Sequence, residues 1–275
     1  MSRPDRPGET ERPGFFIPYR YRADVDDRRG NAAATRLFAE HEAGFAGALA
    51  LIDAYAEALA RIPADPSEHG APRWRQDWFP ALDAAIAYAL VRNREPTRIV
   101  EVGAGHSTRF LARAVADGGL ATELTAIDPA PRAGLAGLPV AWIAAVVQQA
   151  GDAPFRALQP GDMVSIDSSH ILMPGTDVDL LLGDVLPALP AGVLVHIHDI
   201  MLPDPYPADW AWRGYNEQQA VAAMLGAGGW RPLFASRYVA TRMPDALAAS
   251  VAGRLPGNPQ ASAGSLWLEK TGRAI

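Results

Sequence analysis

The sequence contains no cysteine, which excludes disulfides, thiolate metal sites and cysteine nucleophiles together. That absence fits a reducing cytoplasm, the expected compartment. Basic runs are missing as well: Arg20-Tyr21-Arg22, Arg28-Arg29 and Arg73-Trp74-Arg75 come nearest, in a chain of net charge −6. Nucleic-acid binding draws most of its affinity from clustered cations, so nucleic acid is not the expected partner. There is no apolar signal core at the N-terminus and no long uncharged apolar stretch, so a membrane span is not expected either.

What is present is an ordinary globular composition, 49% hydrophobic and 20% charged over 275 residues, enough for one large domain with an appendage. Residues 1 to about 30 are rich in Pro, Arg and Asp and read as irregular, strapped down by Phe15, Phe16 and Tyr19. Leu37, Phe38, His41, Phe45, Leu49, Ile52, Tyr55 and Leu59 recur at helical spacing and predict a helix over 33–62, ended by Pro63 and Pro66. A second helix is predicted over 80–94, stopped by Pro96.

Beyond it, short apolar runs alternate with helical stretches, the pattern of a parallel sheet made of βαβ units. Strands are predicted at 98–102, 123–127, 140–147, 162–166, 192–197, 231–241 and 264–269, with helices at 108–116, 153–158 and 178–186. The expected fold is therefore α/β: a Rossmann-like seven-stranded mixed sheet, its last strand pair antiparallel, with an N-terminal helical extension. The division falls at 1–79 for the arm and extension and 80–275 for the main domain.

The sharpest local signal is the segment from Arg98 to Ser107, a buried strand running through Glu101, Gly103 and Gly105 into a helix. Glycines let the backbone approach a ligand closely, and a helix N-terminus offers free N–H groups. A dinucleotide fingerprint would place a third glycine where Thr108 stands. Glu101 would repel a pyrophosphate but suit the ammonium of S-adenosylmethionine, and Asp128 closes the next strand where a carboxylate accepts ribose hydroxyls. Acid-x-Gly-x-Gly followed by an acid ending the second strand resembles the class I S-adenosylmethionine-dependent methyltransferases. The resemblance implies that Glu101, Gly103 and Gly105 line the methionine side and Asp128 the ribose; Ser107, a candidate helix cap, is a further candidate for cofactor binding. Gln148, Gln149 and Asp152 are candidates for the adenine.

Two later strand ends are crowded with polar groups: Asp167 to His170, and His196 to Asp199. Adjacent C-terminal strand ends open onto one crevice, so these groups are expected to face the reacting methyl. His170 has the intrinsic pKa of a general base, with His198 beside it as a second catalytic candidate. Asp167, His198 and Asp199 form a candidate site for a divalent cation such as Mg or Mn, although both acids equally suit capping. A lone inward histidine such as His196 is more often a core residue than a ligand.

The layout is similar to that of metal-dependent O-methyltransferases, with an acid ending strand four, a base three residues on, and an Asp-Asn or Asp-Asp pair ending strand five. The sequence departs from that pattern at His170, where catechol enzymes carry Lys, and at His198, the first position of the pair. Asp167-Ser-Ser-His170, Gly175-Thr-Asp-Val178, Leu186 to Ile200, Asn216-Glu-Gln218 and Ser265-Leu-Trp-Leu268 also resemble a bacterial methyltransferase group whose substrates are poorly defined.

Tyr206, Trp210, Trp212 and Tyr215 follow strand five and are expected to form a lid over an acceptor. The expected activity is methyl transfer to a small molecule, most simply to a hydroxyl oxygen. Two rivals remain: a nicotinamide-dependent oxidoreductase and a non-catalytic scaffold. The sequence leaves the acceptor, the metal and a homo-oligomer open.

Overall fold

A computed structural model describes residue 24 and residues 29–66 and 70–272; the Phe15–Tyr19 patch lies outside them. Seven strands form one sheet in the order β3-β2-β1-β4-β5-β7-β6. They are β1 (Arg98–Val102), β2 (Glu123–Ile127), β3 (Ala141–Ile143), β4 (Met163–Ile166), β5 (Leu194–Ile197), β6 (Trp230–Ala235) and β7 (Leu266–Lys270). The first five are parallel, and β7 enters antiparallel between β5 and β6. The expected Rossmann-like mixed sheet is the one observed. Its last pair is antiparallel but joined by a long connection rather than a tight hairpin. Strand order reverses between β1 and β4, which makes their C-terminal ends the natural ligand crevice.

The long helix expected over 33–62 is three: α1 (Ala32–Ala39), α2 (Glu42–Ala54) and α3 (Ala56–Ala60). His41 breaks the first join, its Nδ1 bonding the Leu37 carbonyl at 2.8 Å in competition with the helical ladder. Phe38, Phe45, Leu49, Ile52 and Leu59 are buried, as their spacing predicts. α4 (Ala81–Arg94) starts after Pro80 and ends at Glu95, in the left-handed conformation just before Pro96. Every residue from Leu82 to Val91 is buried, as α2 and the next helix, α5 (His106–Gly118), both pack against it. One acid, Asp83, lies inside this apolar helix. The apolar core is continuous from α1 through the sheet to β7.

Two strands are much shorter than expected, the rest of each run being helical or irregular. Residues 140–147 contain only β3, and Val147–Ala150 forms a helical turn. Residues 231–241 contain the end of β6 followed by the helix Ser236–Arg242. Short apolar runs suit either conformation, so periodicity alone did not separate them. Among the described residues no helix is long and apolar enough to cross a membrane.

Candidate active site

The glycine loop is tied down from inside. Glu101 is fully buried; its carboxylate accepts a hydrogen bond from the Ser107 hydroxyl at 2.6 Å and another from the Thr108 hydroxyl. Thr108 Oγ1 in turn accepts the Gly105 N–H at 2.8 Å, so strand, bend and first helical turn form one unit. Gly103 sits at φ +82°, and a Cβ there would stand 1.7 Å from the Asp167 carbonyl oxygen. Only glycine lets β1 and β4 approach this closely. At the end of β2, Asp128 Oδ2 accepts the Ala104 N–H and Oδ1 the Ala130 N–H, each at 2.7 Å.

The structure thus puts Glu101 behind the loop rather than facing a ligand. Burial pushes its carboxyl up to about 8, against the pull of the Ser107 and Thr108 hydroxyls, with the charges of Asp167 and Asp128 adding to the rise. Gly103, Gly105, Ser107 and Asp128 do line a cavity, one of about 600 Å³. Gln148 lines it too and donates to the Gly175 carbonyl at 3.0 Å, whereas Gln149 and Asp152 lie off its wall.

The same cavity reaches Asp167, His170, His198 and Asp199, so the sheet brings the two constellations together. The Asp167 N–H donates to the Val102 carbonyl and the His198 N–H to the Ile166 carbonyl, both at 2.8 Å, fixing the three strand ends side by side. His170 and Asp199 both hold left-handed backbone, at φ +60° and +53°. Such strain in non-glycine residues persists only where surroundings enforce it, and it gathers at functional sites. At His170 the enforcement is visible: its carbonyl accepts the N–H groups of Asn216 (3.1 Å) and Glu217 (3.2 Å). Asn216 Oδ1 also accepts the Leu172 N–H at 2.6 Å.

The side chains form an ion-paired cluster. His170 Nδ1 bonds Glu217 Oε2 at 2.9 Å, while Nε2 lies 3.3 Å from Asp167 Oδ1 and 3.6 Å from Asp199 Oδ2. His198 Nδ1 faces Asp167 Oδ1 at 3.4 Å and Asp199 Oδ1 at 3.5 Å, and its Nε2 faces Asp83 Oδ2 at 3.4 Å. Asp83 is itself held by the N–H groups of Gly264 and Ser265. Burial alone would discharge both imidazoles, but the surrounding carboxylates raise them well above the ordinary histidine value. Burial works against ionisation of Asp167 too, yet His198 and His170 hold its carboxyl below the usual range. Sequence reasoning missed Glu217 and Asp83 as partners. The signal for Asp83 was an acid within an apolar helical face; for Glu217 there was only the Asn216-Glu-Gln218 motif.

His196 is a different case. It is fully buried, hydrogen-bonded to Ser165 and Ser265 at 2.9 and 2.8 Å, and stacked on Trp267 at 4.6 Å. Burial and the neighbouring His198 charge lower it to about 3, so it stays a neutral core residue.

Of the four lid aromatics, Tyr215 packs on the His170 ring at 4.5 Å and lines the cavity. Tyr206, Trp210 and Tyr215 cluster within 6.4 Å of one another, whereas Trp212 is 72% exposed and lines neither cavity at the site. A second cavity of about 180 Å³, with Trp210 in its wall, meets the first at Trp78, His198, Asp199 and Arg213.

The family model described as a methyltransferase domain matches residues 100–200, from β1 through the end of β5. The class I resemblance drawn from the glycine loop stands on the same stretch, which holds both halves of the site. No curated protein matches the sequence. Among solved structures the chain is similar to the O-methyltransferase TomG of Streptomyces achromogenes, which is involved in tomaymycin synthesis and was solved with SAM. Identity is 18% over 82% of this chain and 90% of that one, with a TM-score of 0.43. The SAH-bound methyltransferase PaMTH1 of Podospora anserina gives 14% identity over 94% and 100% of the two chains, TM-score 0.43. A putative O-methyltransferase of Klebsiella pneumoniae gives 15% over 82% and 89%, TM-score 0.42. At TM-scores below 0.5 these likenesses add nothing to the strand order.

Proposed function

We propose that this methyltransferase moves a methyl group from S-adenosylmethionine to a hydroxyl oxygen of a small molecule, with His170 taking the hydroxyl proton. One observation carries the reading: a single cavity joins the glycine loop and Asp128 to the His170 cluster. Its volume suits a nucleoside cofactor with part of an acceptor. The cofactor fits the residues present. Asp128 offers a carboxylate for the ribose, Gly103, Gly105 and Ser107 line the wall beside it, and the first turn of α5 supplies N–H groups. When bound, S-adenosylmethionine supplies an electrophilic methyl on a sulfonium. Within this reading residues 80–275 form the catalytic domain and residues 1–79 are its N-terminal extension.

His170 fits the role of base through its setting. Glu217 holds Nδ1, and Nε2 faces Asp167 and Asp199 on the cavity wall; an acceptor hydroxyl reaching Nε2 would give it the proton as its oxygen bonds the methyl carbon and the bond from that carbon to sulfur breaks. The carboxylates raise the imidazole, so in the free protein it carries a proton at neutral pH. A second positive charge brought alongside by the cofactor favours release of that proton. His198 and Arg213, the latter 3.7 Å from Asp199, would balance negative charge growing on the acceptor.

Asp167, His198 and Asp199 are a poor fit for a divalent cation as they stand. Each ring nitrogen of His198 is turned to a carboxylate, and imidazolium charge already offsets the acids. Among the described residues, no group of three or more His, Asp or Glu is arranged to hold a metal ion. No step here therefore runs through one.

Calorimetric titration with S-adenosylhomocysteine and with NAD tests the cofactor. Binding of the first alone is expected; binding of NAD alone would hand the site to the oxidoreductase rival, and binding of neither to the scaffold. Turnover of labelled S-adenosylmethionine against hydroxylated small molecules tests the reaction. Activity should survive chelation by EDTA, and its loss with recovery on adding Mg or Mn would restore the cation.

A further inference from the structure

S-adenosylmethionine is a zwitterion at its amino-acid end, so a site that holds it must meet a carboxylate as well as a sulfonium and a ribose. The cavity is otherwise rich in acid: Asp128, Asp167, Asp177 and Asp199 all line it. A carboxylate entering that field needs a cation with free donors. The basic side chains on the wall are His106, Arg132, His170, His198 and Arg213. The last three are already engaged with Asp83, Asp167, Asp199 and Glu217. His106 is lowered to about 4 by burial and by the charges of Arg73, Arg109 and Arg132, so it is neutral at ordinary pH.

That leaves Arg132. Resting on the cofactor reading above, we propose that Arg132 grips the carboxylate of the methionyl moiety, with Trp78 as the platform that orients its guanidinium. The guanidinium lies over the Trp78 ring at 3.8 Å. Among the described residues its side chain makes no hydrogen bond or salt bridge. Its backbone N–H reaches the Ala104 carbonyl at 3.3 Å, and its Cβ lies 3.7 Å from where a Gly105 Cβ would stand. Arg132 therefore belongs to the glycine-loop wall. Stacking on an indole uses the face of the guanidinium and leaves its edge free for two parallel bonds to a carboxylate. A cofactor with its ribose at Asp128 and its methyl toward His170 would bring its remaining arm to the wall of Gly105 and Trp78, which both line the cavity.

The test compares two ligands on two proteins by calorimetry: S-adenosylhomocysteine and its decarboxylated analogue, on the wild type and on Arg132→Ala. The substitution should weaken the first about tenfold or more and leave the second within twofold. Arg132→Lys, which keeps the charge but loses the fork, should fall between. Equal losses for both ligands, or no loss for S-adenosylhomocysteine when the wild type binds it well, would overturn this inference alone. A wild type that binds neither ligand overturns the cofactor reading together with it. Unchanged affinity for the decarboxylated analogue also shows that the variant is folded.

Discussion

Along the glycine-loop wall Glu101, Ser107, Thr108 and Asp128 hold hydrogen bonds of ordinary or shorter length, all within one βαβ unit. Across the cavity His170 bonds Glu217 at 2.9 Å, but the other charged pairs stand 3.3–3.7 Å apart, and neither ring nitrogen of His198 finds a hydrogen bond among the described residues. The first wall is finished as folded. The second holds buried charges poised against each other, which is costly unless a ligand or a reaction makes use of them. The contrast separates a rigid holder from a responsive partner, and each wall should fail in its own way.

The largest effect should come from the holder. In Gly103→Ala, a methyl forced to within 1.7 Å of the Asp167 carbonyl must push β1 and β4 apart, in a left-handed conformation that alanine disfavours. A loss on the order of 4 kcal/mol in chemical denaturation is expected, with cofactor binding lost as well. A variant of native stability would mean that the strand ends move freely. The second wall should respond oppositely. His170→Ala is expected to cut the methylation rate by about a hundredfold, with affinity for S-adenosylhomocysteine kept within about threefold. A parallel loss of binding would make His170 part of the holder instead.

Glu217 sharpens the comparison further. It touches no part of the proposed substrate path except through His170, so it is a positioning residue. Glu217→Gln keeps an acceptor but removes the charge that steadies the imidazolium, and should lower kcat by about tenfold with KM little changed. Because Glu217 also helps to raise His170, which must lose its proton to act as base, the acid limb of the rate profile should shift to lower pH in the variant. An unshifted profile would detach Glu217 from the base.

The same division explains what could be read in advance. The glycine loop was legible because its parts lie within a few residues of one another, and the class of sheet followed from the alternation of runs. Asp167, His170, His198 and Asp199 were legible as strand ends. Their partners were not: Asp83 comes from a helix before the sheet and Glu217 from one after β5, and no spacing rule links them. Glu101 was found but aimed wrongly, since sequence marks an acid beside a loop without saying on which side of the backbone it lies. Trp212 was grouped with the lid on composition, yet it points to solvent.

Glu101 supplies the smallest expected effect. Its carboxyl is raised from 4.5 to about 8 by burial, so the folded state retains a proton that the unfolded chain gives up above its own lower pKa. Between those values folding binds protons, and stability should fall as pH rises through the window, by about 1 kcal/mol from pH 6 to pH 7. Glu101→Gln cannot titrate, so its melting temperature should lack this decline and gain about 3 °C on the wild type over the same step. The amide keeps one acceptor for the Ser107 or Thr108 hydroxyl, which limits any penalty that does not depend on pH. If the two melting curves instead run parallel across the window, Glu101 is ionised throughout. The loop would then hold a fixed negative charge just behind the cofactor, an electrostatic role on top of the structural one, and the two walls would differ less than their geometry implies.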